Sequence, residues 1–131
     1  MSANTAPIFE LTPVNAGVTF SDADTTTLKT IYTAGSDGGR IDGILVSTND
    51  TTTVNLAFSI FDGATNYYIG NVNIPVGSGY TTIARVDALS TLRPASQPFI
   101  QLRGTYVLKA NCVATMTSGK LTTVVVIGGD F

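Results

Sequence analysis

Histidine and tryptophan are absent from this 131-residue chain, and cysteine and glutamate occur once each, as Cys112 and Glu10. Without histidine the chain lacks the side chain that titrates near neutrality, the commonest metal ligand and the usual partner of a nucleophilic Ser or Cys. A single cysteine excludes an internal disulfide and, with no His to activate it, a Cys–His nucleophile; its flanks, Tyr106 to Met116, read as a strand, where Cys112 serves as a small buried hydrophobe. Charge is scarce as well. Charged residues make up 12% of the chain, about half the usual globular share. The seven basic residues (Lys29, Arg40, Arg85, Arg93, Arg103, Lys109, Lys120) are scattered and the net charge is −2. No basic footprint exists to neutralise phosphates, so no nucleic-acid partner is expected.

Long apolar runs are missing too. The longest, Val124 to Ile127, falls far short of the ~20 residues that span a bilayer, and no membrane partner is expected. Met1 to Pro7 has neither the basic nor the apolar region of a signal peptide, so synthesis in a cytoplasm is expected. On that route Asn49-Asp-Thr51, which matches a glycosylation acceptor, is a polar turn.

Hydrophobic residues nonetheless make up 44% of the chain, and 131 residues suffice for one domain with a sizeable core. No segment sustains a helical period. Apolar residues alternate or come in short runs, with turn residues about every 8 to 12 positions, the pattern of an all-β sandwich or barrel. Residues 1–7 read as a flexible arm and residues 8–131 as a single β-sandwich. A first strand is expected over Ile8–Leu11, closed by Pro13, and a second over Thr25–Ala34. Gly35-Ser-Asp-Gly-Gly39 reads as a turn that supplies φ > 0 positions, and Ile41–Thr48 as a third strand.

The clearest strand is Val54–Phe61. Val54, Leu56, Phe58 and Ile60 share one face, expected to be the core, and Asn55, Ala57 and Ser59 the other. Tyr67–Ile74 follows, ended by Pro75, and then Tyr80–Val86 as an extended or edge strand. Ala88, Leu89 and Leu92 fit one helical turn, which Pro94 and Pro98 keep short. Phe99–Leu102 enters a further strand. Thr105–Met116 and Lys120–Ile127 then read as a hairpin across Thr117-Ser-Gly-Lys120. Thr fills the outward alternate positions of several of these runs. The total is about eight strands, the number in a jelly roll, with the strand order left open.

Groups that resemble chemical sites do not fit their templates. Gly35 to Arg40 is glycine-rich, but a phosphate loop needs Gly-x4-Gly-Lys-Ser/Thr ahead of a helix, and here a strand follows; Ser118-Gly-Lys120 is followed by Leu121. The carboxylates are Glu10 and Asp22, 24, 37, 42, 50, 62, 87 and 130. Six of these Asp sit in or beside turns, where Asp bonds its own backbone, and a glycosidase pair commonly includes Glu as the acid. Asp22-Ala-Asp24 lacks the spacing of a calcium loop. No metal, cofactor or catalytic residue is assigned. Tyr67, Tyr68, Tyr80 and Tyr106 are candidates for a sugar-stacking platform, but Tyr67 and Tyr68 point to opposite faces of one strand. Core or interface packing is the expected use.

Three blocks carry a resemblance: Leu28-Lys-Thr-Ile-Tyr-Thr-Ala-Gly-Ser-Asp-Gly-Gly-Arg-Ile-Asp-Gly-Ile44, Phe61-Asp-Gly-Ala-Thr-Asn-Tyr-Tyr-Ile-Gly-Asn-Val-Asn-Ile-Pro-Val-Gly77, and Leu108-Lys109 with the terminal Gly128-Gly-Asp-Phe131. Together they span roughly residues 25 to 131. The chain resembles small tailed-bacteriophage virion proteins of the capsid cement or decoration type. The resemblance implies a jelly-roll-like sandwich on the outer capsid surface of a virion, synthesised in the bacterial host. It also implies trimers or dimers that bridge the phage major capsid protein, with no enzymatic activity. The motifs are turns and strand ends, so no functional residue carries over. Interface residues are instead expected at the arm, Ile8 and Phe9, and at the terminus, Asp130 and Phe131, where an aromatic is a natural anchor. In an alternative reading Phe9 and Phe131 only cap the domain's own core. The rival function is a receptor- or carbohydrate-binding module of a tail or fibre, using end loops with Tyr80 or Tyr67. A hydrolase ranks third.

Overall fold

The computed structural model describes residues 10–131. Nine strands are found among them: β1 (Thr12–Ser21), β2 (Lys29–Thr33), β3 (Gly39–Thr48), β4 (Val54–Phe61), β5 (Asn66–Ile74), β6 (Val86–Asp87), β7 (Ile100–Leu102), β8 (Val107–Cys112) and β9 (Leu121–Asp130). One sheet runs β1-β9-β3-β6, with β7 also on β3, and the other runs β2-β8-β4-β5. Every pairing is antiparallel. The pairs are nested: β4 with β5, β3 with β6 and β7, β2 with β8, β1 with β9. That is a long hairpin rolled over on itself, the jelly-roll arrangement of an all-β sandwich. The expected number of eight strands holds when β6 and β7, which share β3, are taken as one.

Alternation sets the core. Phe20, Ile41, Ile44, Val46, Leu56, Phe58, Ile74, Leu108, Val124 and Val126 are all fully buried between the sheets. In β4 the expected faces hold at Val54, Leu56 and Phe58, which are buried, and at Asn55, which is exposed; past Phe58, beside the bulge in β5, they blur, with Ser59 buried and Ile60 only half-buried. The short helix α1 (Leu89–Leu92) is the expected helical turn, and it plugs one end of the sandwich with Ala88 and Leu89.

Several expected boundaries move. The expected strand Ile8–Leu11 lies partly outside the described residues; the first strand among them begins at Thr12, runs through Pro13 and continues to Ser21. Pro13 fits because β1 is an edge strand, where a residue without an N–H is tolerated. The second strand starts only at Lys29; a 3₁₀ turn over Asp22–Asp24 and Thr25 at φ 52° occupy the residues before it. Tyr80–Arg85 is not a strand. It is an exposed loop held by turn bonds from Gly79 N to Ile83 O and Thr81 N to Gly77 O.

The largest correction concerns the last two strands. β8 and β9 form no hairpin: β8 pairs with β2 and β4 in one sheet, β9 with β1 and β3 in the other. The Cys112–Leu121 link crosses between sheets, and both strands thereby gain two neighbours instead of one. Thr is not only outward either. Thr48 and Thr122 are fully buried, and the Thr122 hydroxyl donates to that of Thr48 at 2.9 Å.

Candidate functional site

The expected arm 1–7 and the interface residues Ile8 and Phe9 lie outside the described residues. The terminus is described, and it is tied into the fold. The Asp130 carboxylate accepts hydrogen bonds from the Tyr32 hydroxyl and from the Gly35 N–H at 3.1 Å, and its carbonyl accepts from Leu11 N at 2.8 Å. Burial, reinforced by Asp130, pushes the Tyr32 hydroxyl well above its ordinary pKa of 10.0. A Cβ at Gly39 would run into the Tyr32 hydroxyl, and one at Gly128 into the Arg40 carbonyl. Gly39 and Gly128 of the resemblance blocks are thus needed for close approach, Gly39 beside this bond and Gly128 between β9 and β3. Phe131 donates its N–H to Gly38 O at 3.1 Å and stays half-buried, at the rim of an open hollow of about 370 Å³ with Asp37, Arg40, Gln101, Leu102 and Arg103.

Beside it stands a three-member charge cluster. Arg40 Nε lies 2.6 Å from Glu10 Oε1 and 2.9 Å from Asp42 Oδ1, with its guanidinium 5.1 Å from the Phe99 ring centre. The ion pair is badly aligned, since neither Arg40 Nε nor Glu10 Oε1 has a well-directed hydrogen-bond partner. Burial and the neighbouring Asp42 raise the Glu10 carboxyl above its usual range despite Arg40.

Asp50, expected as a turn residue, proves to be a buried hub. It bonds Thr52 through N at 2.9 Å and Oγ1 at 3.0 Å, and Thr117 through N at 3.0 Å and Oγ1 at 2.7 Å. Burial alone would raise this carboxyl, but the four bonds outweigh it and hold the pKa at about 2. Asp62 and Asp24 are turn residues as expected: Asp62 accepts from Ala64 N and Thr65 N, and Asp24 from Ser21 N and Lys29. Cys112 is buried, as expected, and burial pushes its thiol up to about 11. Among the described residues no group of three or more His, Cys, Asp or Glu is placed to hold a metal ion.

Three of the four tyrosines expected in core or interface packing stand outside the core. Tyr67 and Tyr68 are 55% and 64% exposed, and Tyr80 is 54% exposed. β5 is an edge strand, and the bulge opposite Phe58 and Ser59 lies beside this pair. Of the four, only Tyr106 packs against the core.

No family model, curated protein or solved structure matches the chain. The outer faces of the two sheets are therefore the informative features. On the first sheet the register places Asn15, Gly17, Thr19 and Ser21 of β1 beside Ile127, Val125, Thr123 and Leu121 of β9, with Gly43, Leu45 and Ser47 of β3 on the far side. None of these eleven side chains is charged, and Leu121 and Ile127 are each 41% exposed. Charge stands at the margins among the described residues: Arg40 and Asp42 at one end of β3, Asp87 on β6, and Arg85 in the loop that packs against Ser47. Sequence reasoning missed this face because outward positions become neighbours only once the β1-β9-β3 order is known.

Proposed function

We propose that this protein is a head decoration (cement) protein of a tailed bacteriophage, one that sits on the outer capsid surface and bridges major capsid protein subunits. The uncharged outer face of β1, β9 and β3 is the observation that carries this reading. These are the three ten-residue strands. The uncharged rows cover seven residues of β1 and β9, Asn15–Ser21 and Leu121–Ile127, which at about 3.3 Å per residue and 4.8 Å between strands is a patch of roughly 23 by 14 Å. That is on the order of 300 Å² of sheet surface without a charge, with Leu121 and Ile127 exposed toward its two ends. It is a little under half of one partner's ~800 Å² share of a standard interface. The resemblance of residues 25–131 to cement proteins supplies the identity of the partner.

The mechanism is mass action. A protein that binds only the assembled shell stabilises that shell, and capsid symmetry repeats the contact at every equivalent position. Copies also associate with one another, as trimers or else dimers. The test is sedimentation of the purified chain with mature heads stripped of this protein. Saturable binding in a fixed ratio to the major capsid protein, with heads more resistant to heat or low salt, is the expected result. Failure to bind stripped heads overturns the reading.

A further inference from the structure

The outer face of the β2-β8-β4-β5 sheet has a different chemistry. Asn is depleted in strands because its side chain competes for backbone bonds. Yet this face carries Asn55 on β4, Asn71 and Asn73 on β5 and Asn111 on β8, in register with one another: Asn55 faces Asn73, and Ala57 faces both Asn71 and Asn111. One row further along, Ser59 faces both Tyr68 and Lys109. The side chains of Asn55, Asn71 and Asn73 make no hydrogen bond among the described residues, and Asn111 spends one N–H on Cys112 O at 3.2 Å. An amide side chain offers two donors and an acceptor, so this array is almost entirely unspent. A strand former such as Thr would serve the fold better at these positions, and a local choice that works against the fold points to a functional site.

The relief of the face fits an elongated ligand. The central strand contributes small side chains, Ala57 and Ser59, while its neighbours contribute Tyr68 and Asn71 on one side and Lys109 and Asn111 on the other. The result is a trough over Ala57, between strands roughly 10 Å apart, that closes toward Ser59, which lies between Tyr68 and Lys109 and is only 7% exposed. Past Asn55 the sheet gives way to a hollow of about 120 Å³, lined in part by Thr52, Thr53, Val113 and Thr115. The opposite end is closed by Phe61, with Lys109 Nζ held 4.2 Å from its ring centre. Lys109 is in none of the ion pairs found among the described residues, and no carboxylate occupies the rows it shares with Ser59, Ala57 and Asn55.

We infer that this trough is a binding site for an extended glycan chain that carries carboxylate sugars. The amides meet ring hydroxyls, the Tyr68 ring offers a flat apolar surface for a sugar's C–H face, and Lys109 meets the carboxylate. A single cation is too little for a phosphate backbone, which draws several. The site is distinct from the uncharged face on the other sheet, so one molecule can be anchored by one face and present the other.

The test follows the amide signals of the full chain by NMR during titration with three octamers: polygalacturonate, neutral maltooctaose and polyglutamate. Polygalacturonate is expected to shift Asn55, Asn71, Asn73, Asn111, Tyr68 and Lys109, and to do so at lower concentration than maltooctaose. Lys109→Gln is expected to remove that preference, weakening polygalacturonate by ~10-fold while leaving maltooctaose unchanged. Asn71→Ala, on the solvent side of an edge strand, is expected to weaken both sugars and leave the fold intact. No shift on this face with either sugar at millimolar concentration overturns the site. Equal or stronger shifts with polyglutamate overturn the glycan in favour of an acidic protein segment. Binding to stripped heads through the other face is unaffected by any of these results.

Discussion

The Tyr32 hydroxyl donates to the Asp130 carboxylate across 98 residues of chain. Tyr32 belongs to the β2-β8-β4-β5 sheet and Asp130 to the β1-β9-β3 sheet, so this bond crosses the sandwich. Tyr32→Phe keeps the ring and removes the donor. A hydrogen bond to a charged group contributes about 1.5–3 kcal/mol, and the variant is expected to lose that much in urea unfolding. The same bond sets an alkaline limit. The folded-state pKa of Tyr32 lies above its ordinary 10.0, so its contribution is complete below that value and declines as pH rises beyond it, because the unfolded chain ionises first. The wild type is expected to lose stability above pH 10 more steeply than Tyr32→Phe.

Asp50 sets the acid limit. Its carboxyl is held at about 2, below its ordinary 3.8. The contribution is therefore present above 3.8 and lost as pH falls toward 2. Asp50→Asn is expected to cost about 1–2 kcal/mol at neutral pH, since the amide retains one acceptor, and to flatten the acid side of the stability profile. An unchanged acid limb would mean that the hub is not formed in solution.

Phe58 is fully buried in the central strand of its sheet. Phe58→Ala is expected to cost about 3–5 kcal/mol by equilibrium unfolding, while Asn55→Ala on the opposite face of the same strand is expected to cost under about 0.5 kcal/mol.

Cys112 combines full burial with a thiol pushed up to about 11. A thiol reagent at pH 8 is expected to label the folded chain only through opening of the structure, since the thiolate is the reactive form. The labelling rate should rise in step with denaturant. Immediate labelling of the native chain contradicts the burial.

On the uncharged face, Ile127→Asp places a carboxylate at an exposed position on β9, the central strand of the patch. Stability is expected to stay within about 0.5 kcal/mol, as for most surface changes. Binding to stripped heads is expected to drop by at least ~10-fold, because the new charge loses its water on docking. Loss of binding with full retention of fold is the informative combination.

Local patterns carried much of this fold, and long-range pairing carried the rest. The alternation from Val54 to Phe58 marked both the strand and its buried face, and Ala88, Leu89 and Leu92 marked the helical turn. Pro13, Asn15 and Gly17 concealed β1, because such residues disfavour strands wherever a neighbour does not supply the ladder; β9 supplies it. The turn at Thr117–Lys120 looked like a hairpin because turn chemistry is local and does not record which sheet the next strand joins. Asp50 looked like one more turn aspartate, since Thr117 lies 67 residues away. The two outer faces were equally invisible: Ile127 and Gly43 become neighbours only through register.

β9 fills the slot between β1 and β3, so neither of those strands has its main backbone partner until residues 121–130 are in place. Contacts so distant along the chain make folding slow. During synthesis the first sheet stays split, with two ten-residue strand edges unpaired until the ribosome has delivered β9. A chain cut short before Leu121 would keep those edges open, and exposed edges of that length template aggregation. The strand that completes the sandwich therefore also determines whether a nascent or truncated copy stays soluble.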